Sequence, residues 1–441
     1  MGKKIIKVTN GQKIYSLAKN IIPGGNMLLS KNPDRFLPKG WPVYFKKTKG
    51  CEVWDLDKNK FYDLSLMGVG TNILGYSNKA VDDSVKKVIK DGNMSSLNCP
   101  EEVYLAEKLI ELHPWAQMVR FARTGGEANA IAIRIARAAS GKDNVAFCGY
   151  HGWHDWYLAT NINKKKNLNS HLLKNLPIKG VPKNLANSIF PFKFNNYDEL
   201  ERIVSQKNIG VICMEVVRNE LPKNSFLQKV RNLANKKGIV LIFDECTSGF
   251  RKNYGGIHKT FKVNPDIALF GKALGNGYAI TAIIGKKDIM KNAQNSFISS
   301  TFWTERIGSV AGIATLEEMK RIKSWEIIDK TGNQIIKKWN ELGKKYELNL
   351  KISGLPSLCS FNFLNKNNQH YKTLITQEML KQGFLASNSV YVSVSHTKKI
   401  IDRYFYELDK VFKLIQKCED GYSVKKLLRY PKSISGFERL N

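Results

Sequence analysis

The sequence predicts an α/β fold built on a mainly parallel sheet, and three features carry that prediction. Short apolar runs at 145–148, 210–217, 239–244 and 280–284 alternate with segments of helical period. The run IVLIF before Asp244 has no polar interruption, as expected of a strand covered on both faces. Polar and glycine-rich motifs follow the runs, at the strand ends where open α/β sheets gather ligands. With 441 residues, 43% of them hydrophobic, the chain can bury one large core and smaller terminal ones.

In chain order, residues 1–70 read as an N-terminal arm with short strands. IIPGG is a turn, and YFKKTKGCEVWDLDKNKFYDLS alternates like a hairpin around Asp57, Lys58 and Asn59. This segment suits a lid or a dimerisation arm. Residues 71–320 form the large domain. Inside it, 161–187 is rich in Lys and Asn and poor in aromatic residues, which fits a surface insertion or a lid. Residues 321–441 form a small C-terminal α+β portion. Its Ile401, Tyr404, Phe405, Leu408, Val411, Phe412 and Ile415 mark the buried stripe of one helix.

Composition narrows the function classes. No stretch approaches the roughly 20 apolar residues of a membrane helix, and the basic start lacks the apolar segment of a secretory signal. Ile6 occupies the place where myristoylation of Gly2 wants Ser or Thr. A cytosolic protein is expected, without membrane contact. The seven cysteines are scattered and form no C-x-x-C pair, so reduced thiols are expected and no metal site. The net charge of +32 raises the question of nucleic acid. The lysines are dispersed among asparagines and isoleucines rather than clustered, so no nucleic-acid partner is expected.

The chemistry lies in three motifs. In IVLIFDECTSGFR, Asp244 and Glu245 end a buried strand, where an acid is costly unless partnered. Lys272 follows 28 residues later in DIALFGKALGNGYAI, between an apolar strand and a glycine-rich turn. Either residue alone is bland. Together they supply what a pyridoxal 5′-phosphate (PLP) enzyme needs, a carboxylate for the pyridine nitrogen and an amine that attacks the aldehyde. In RTGGEANAIAIRIARAASGK, Thr124 and Glu127 have capping-box spacing, so Gly125 and Gly126 open a helix. Free N–H groups and the helix dipole favour a phosphate there. No G-x-x-x-x-G-K-[ST] loop competes with that reading.

FDECTSGFR, PDIALFGKALGNG, the TGGEA helix start and GYHGWHD resemble, in order and spacing, the class III (fold type I) PLP aminotransferases, above all their glutamate-1-semialdehyde aminomutase branch. The resemblance runs through SSTFWTERIGSVAGIATLE to the C-terminal SHTKKIIDRYFYELDKVF. It implies the fold type I architecture and a homodimer with shared active sites. It makes Lys272 the lysine that forms the Schiff base and Asp244 the partner of the pyridine nitrogen. Tyr150 resembles the aromatic residue that stacks on the ring. Gly125 and Gly126 would hold the phosphate, helped by Thr301 from the other subunit. The family's Ser-Gly-Thr is here Thr124-Gly125-Gly126, so one side-chain contact to phosphate is missing. Cys246 replaces a Val that packs on the ring. His151 either orients the turn or touches substrate, and Glu215 supports the cofactor residues from behind. Glu305 and Arg306 depart from the aminomutase pattern, and either help to read the substrate or pair with each other at the dimer interface.

The same residues serve an aminotransferase, which moves an amino group between a donor and a carbonyl acceptor, and an aminomutase, which returns it to a neighbouring carbon. Leu28 and Lys31 stand where the aminomutases carry a Ser and an Arg suited to a substrate carboxylate. Asn388 replaces an acid eight residues before His396. These departures favour the intermolecular aminotransferase, acting on small molecules. The alternative is glutamate-1-semialdehyde 2,1-aminomutase, which yields 5-aminolevulinate. An inactive PLP-fold binding protein is a remote third reading, since intact Lys272 and Asp244 have no purpose in it.

Overall fold

The computed structural model describes residues 8–163, 167–171, 176–217 and 219–435. Gly2 and Ile6 lie outside the described residues, and so do 164–166 and 172–175 of the insertion read as a lid. The chain divides into two compact units. Met1–Val69, Leu74–Ser77 and Lys330–Asn441 make one, and Gly70–Ile73 with Asn78–Asp329 make the other.

The first unit begins with helix α1 (Asn10–Ile21), whose cap Thr9 accepts a hydrogen bond from the Gln12 N–H. Strands β1 (Phe45–Lys49), β2 (Glu52–Asp55) and β3 (Lys60–Leu64) form an antiparallel meander. Its β2–β3 turn is the one expected at 57–59. Asp55 Oδ1 accepts from the N–H groups of Asp57 and Asn59 at 2.9 and 2.8 Å, and Lys58 takes a φ of 67°.

The second unit follows with α2 (Lys79–Asp91), α3 (Glu101–Leu112), β4 (Met118–Ala122), α4 (Gly125–Ser140), β5 (Asn144–Cys148) and β6 (Ile189–Pro191). Next come α5 (Tyr197–Gln206), β7 (Ile209–Glu215), α6 (Phe226–Lys237), β8 (Val240–Asp244), β9 (Ile267–Phe270), β10 (Thr281–Gly285) and α7 (Arg306–Ile322). Its seven-stranded sheet has the order β4-β10-β9-β8-β7-β5-β6. All neighbours are parallel except β10, which runs antiparallel to both β9 and β4. Only a short turn through Lys272 joins β9 to β10, and a parallel return needs a crossover of a dozen or more residues.

Strands β7, β8, β9 and β10 are buried along their whole length. Helix α4 lays Ala128, Ile131, Ala132 and Ile135 into the same core as Val145, Val211 and Ile242. Each buried Ile or Val there contributes about 1.5–3 kcal/mol. The insertion is anchored to this core through its buried Leu168 and His171.

After α8 (Ser324–Lys345) the chain adds β11 (Leu350–Ser353), β12 (Leu358–Phe363), α9 (Asn368–Lys381), β13 (Phe384–Ala386), β14 (Ser389–Tyr391) and α10 (Lys398–Glu419). In the first unit β13 pairs parallel with β3, while β11, β12 and β14 make a separate antiparallel sheet. All seven stripe residues from Ile401 to Ile415 are buried on α10. Among the described residues no helix is long and apolar enough to cross a membrane.

Candidate active site

The parallel strands β5, β7, β8 and β9 end side by side in the residues that the sequence singles out. Glu215 at the end of β7 lies in register with Asp244 at the end of β8. Lys272 stands just past β9 with a φ of 41°, a left-handed conformation that a lysine adopts only where its surroundings enforce it. Its Nζ donates to Thr247 Oγ1 at 2.6 Å.

Asp244 is buried, and both carboxylate oxygens are occupied. Oδ2 accepts from Asn129 Nδ2 at 2.8 Å and lies 2.8 Å from His151 Nδ1, while Oδ1 accepts from the Cys246 N–H at 3.0 Å. Burial alone would raise its pKa. The His151 hydrogen bond and charge, then Asn129 and the Cys246 N–H, outweigh burial and hold it at about 2. The group is therefore an anion at any working pH.

His151 is fully enclosed, and its Nε2 faces the Cys148 carbonyl oxygen at 3.2 Å. Burial opposes a charged imidazole, but the facing Cys213 sulfur and the Asp244 carboxylate overcome it and put the pKa well above the usual value. This geometry places His151 behind Asp244, which is neither of the two roles that the sequence suggests. Cys246 has its Sγ 3.6 Å from where a Cβ on Gly125 would stand and 3.5 Å from one on Gly271. Burial pushes its thiol pKa well up, so it stays uncharged.

The turn after β5 carries Tyr150. Gly149 has a φ of 118°, and a Cβ there would come within 2.6 Å of Glu215 Oε2. That same oxygen accepts from the Tyr150 N–H at 3.0 Å, so Glu215 shapes the turn. The Gly149 N–H donates to Nδ1 of His171 at 3.2 Å, which ties the insertion to the same place. The Tyr150 ring meets Tyr157 edge-on at 5.9 Å.

Opposite, the capping box opens α4. Thr124 Oγ1 accepts from the Glu127 N–H at 3.4 Å, and Glu127 Oε2 accepts from the Thr124 N–H at 2.8 Å. The N–H groups of Gly125 and Gly126 come before the first intrahelical bond and remain for an anion. Thr301 is exposed at the start of the turn Thr301–Thr304. That turn is held beside α4, because Arg123 Nη2 donates to the carbonyl oxygens of Trp303 and Glu305 at 2.9 Å each.

Within one chain Glu305 and Arg306 take separate partners. Glu305 caps α7 by accepting from the N–H groups of Ile307 and Gly308, and it pairs with Arg123 Nε at 3.2 Å. Arg306 binds Glu101 through Nε and Nη2, the latter at 2.7 Å. Glu305 is the extended cap residue and Arg306 the first residue of the helix, so the two neighbours leave the backbone toward different partners. Two site residues escape the sequence reading. Asn129 holds Asp244 and also bonds the Gly125 carbonyl at 2.9 Å, one helical turn back, and that spacing is the signal that could have found it. Thr247, the Lys272 partner, has no such signal.

This sheet, with an anionic carboxylate and a lysine at adjacent strand ends and a glycine-opened helix packed against it, defines an α/β enzyme that carries PLP. Residues 38–410 match the family model for class-III aminotransferases. The chain belongs to that family, whose members use PLP to transfer amino groups. It is 32% identical over 433 residues to the 3-aminobutyryl-CoA aminotransferase of Cloacimonas acidaminovorans, a match that covers 96% of this chain and 99% of that one. It is 29% identical to the glutamate-1-semialdehyde 2,1-aminomutase of Methanocaldococcus jannaschii, over 92% of this chain and 99% of that one. In fold it matches the PLP internal aldimine form of the Sphingopyxis sp. MTA144 FumI protein, with a TM-score of 0.84 at 20% identity, over 95% and 99% of the two chains. The residues present fit the cofactor: a buried anion, an amine and two first-turn N–H groups without a partner among the described residues would answer its ring nitrogen, aldehyde and phosphate.

Proposed function

We propose that this protein is an intermolecular aminotransferase in which Lys272 and Asp244 are the catalytic residues. The observation that carries the reading is the pair of adjacent strand ends, β8 and β9, that present a permanently anionic Asp244 and the Lys272 amine. When bound, PLP supplies an electron sink for the carbon that loses its proton. Asp244 would keep the cofactor's ring nitrogen protonated, and His151, Asn129 and the Cys246 N–H keep Asp244 charged. Gly125 and Gly126 would donate backbone N–H groups to the cofactor's phosphate, and Tyr150 and Cys246 would pack against its ring, the latter as a neutral thiol. Glu215 holds the Tyr150 turn. Lys272 Nζ, whose resting partner is Thr247, would hold the cofactor through its aldehyde carbon with loss of water; once a substrate amine has displaced it, the freed amine would take and return a proton at the substrate carbon. Borohydride should bleach the yellow protein, and Lys272→Ala should lack both the colour and activity.

The intermolecular reaction is supported by the similarity to 3-aminobutyryl-CoA aminotransferase along nearly the whole of both chains. Leu28, Lys31 and Asn388, where the aminomutases differ, point the same way. The second reading is the aminomutase, favoured by the comparable match to that enzyme. The pyridoxamine-phosphate form, given glutamate 1-semialdehyde and no other carbonyl compound, separates the two. Catalytic formation of 5-aminolevulinate makes the protein an aminomutase; no turnover, with amino transfer from a donor to an added ketone or aldehyde, makes it an aminotransferase.

The proposal includes a homodimer in which Thr301 reaches the other subunit's phosphate. Phe297 and Phe302, on either side of Thr301, are 87% and 68% exposed, apolar surface of the kind association covers. Light scattering that gives the monomer mass at micromolar concentration would refute the dimer. A cytosolic location accords with seven free thiols, and cell fractionation tests it.

A further inference from the structure

Gly126 is the position where the family resemblance leaves one phosphate contact unaccounted for, and the fold explains the glycine. A Cβ at 126 would stand 2.9 Å from both Nδ1 and Cε1 of His154. Any side chain at 126 would collide with that ring, so the imidazole occupies the space a threonine would fill. The loop that carries the ring lies close against the helix start. Gly152, two residues before His154, approaches so closely that a Cβ there would come 2.9 Å from the Gly126 Cα, and Trp153 stacks on the imidazole with centroids 4.5 Å apart. His154 Nδ1 is buried and, among the described residues, has no hydrogen-bond partner. A buried polar atom without a partner is costly, and it lies at the first turn of α4 beside the free N–H of Gly126.

We propose that His154 supplies the side-chain hydrogen bond to the cofactor phosphate that residue 126 cannot make. The ligand group is a phosphate monoester dianion, the donor is the Nδ1–H, and the loop 152–154 carries it onto the helix start. The inference rests on the reading that Gly125 and Gly126 hold the phosphate.

The test is a binding titration of the full chain, stripped of cofactor, with PLP and with pyridoxal, which lacks the phosphate. His154→Ala should weaken PLP roughly 10- to 100-fold, the range for a hydrogen bond to a charged group, and leave pyridoxal unchanged. The double variant His154→Ala with Gly126→Thr, which returns a hydroxyl to the vacated space, should recover part of the loss. In the holoenzyme the phosphorus NMR signal of the cofactor should shift in His154→Ala. If that variant does not fold, His154→Asn, which keeps a shorter donor, should still weaken PLP and spare pyridoxal. Equal weakening of both ligands, or an unchanged affinity for PLP, overturns the inference. If the unaltered chain itself shows no preference for PLP over pyridoxal, the reading of Gly125 and Gly126 fails instead.

Discussion

Asp244 shows how a single carboxylate is kept charged in an interior that opposes charge. Three donors surround it, and the largest favourable contribution comes from His151. Replacing His151 by Ala removes that donor, so the Asp244 pKa must climb from about 2. We expect kcat to fall about tenfold or more and the acid limb of the pH profile to move to higher pH, with His151→Gln recovering part of both. The same depression has a consequence for folding. A lowered carboxylate pKa adds stability above the ordinary value near 3.8, and this is lost as pH falls toward about 2. Acid melts of the cofactor-free protein should show that component, and Asp244→Asn should lack it. At Lys272 the contact to watch is Thr247 Oγ1 at 2.6 Å. Thr247→Val leaves the amine without this acceptor. We expect kcat to fall several-fold at unchanged KM, and the pH midpoint of the holoenzyme's visible absorbance to shift; an unaltered spectrum and rate would mean that Thr247 does not hold the amine.

Among elements, the insertion 161–187 offers the clearest test. Its described part is pinned by His171, whose Nδ1 accepts the Gly149 N–H beside Tyr150. Burial, and after it the charge of His151, lowers the His171 pKa to about 4. A histidine depressed in this way protonates first in the unfolded chain. Its contribution to stability is therefore full above pH 6.5 and drains away as pH falls toward 4. His171→Ala should cost about 1–3 kcal/mol in urea melts at pH 7.5, because the buried Gly149 N–H loses its acceptor. It should also flatten the fall of Tm between those pH values, with a residual slope from His113, which burial depresses to about 4 as well. Hydrogen exchange that speeds up at Gly149 and Tyr150 in this variant would tie the insertion to the turn; an unchanged pattern would not. The opening of α4 was legible beforehand because a capping box is a spacing of three residues. The His171 anchor was not, because no local period marks a histidine in a lysine- and asparagine-rich stretch that reaches 22 residues back.

For the whole molecule, 70 basic residues stand against 38 acidic ones. Such an excess repels itself, and added salt screens it. Raising NaCl from about 10 to about 200 mM should therefore raise Tm by a few degrees; a fall would show that ion pairs such as Arg306–Glu101 outweigh the repulsion. The sequence by itself determined the α/β class, the strands that end in Asp244 and Lys272, and the helix that opens at Gly125. Each is written in neighbouring residues, as an apolar run, a cap or a glycine, and needs no knowledge of what lies across the core. Only the tertiary structure decided which way β10 runs and which groups hold the reactive ones. His151 reaches Asp244 across 93 residues, Asn129 across 115, and Arg306 finds Glu101 across 205. Those pairings arise when strands and helices pack, since burial forces each charged or polar group to find a partner within about 3 Å, and the chain records no spacing for them.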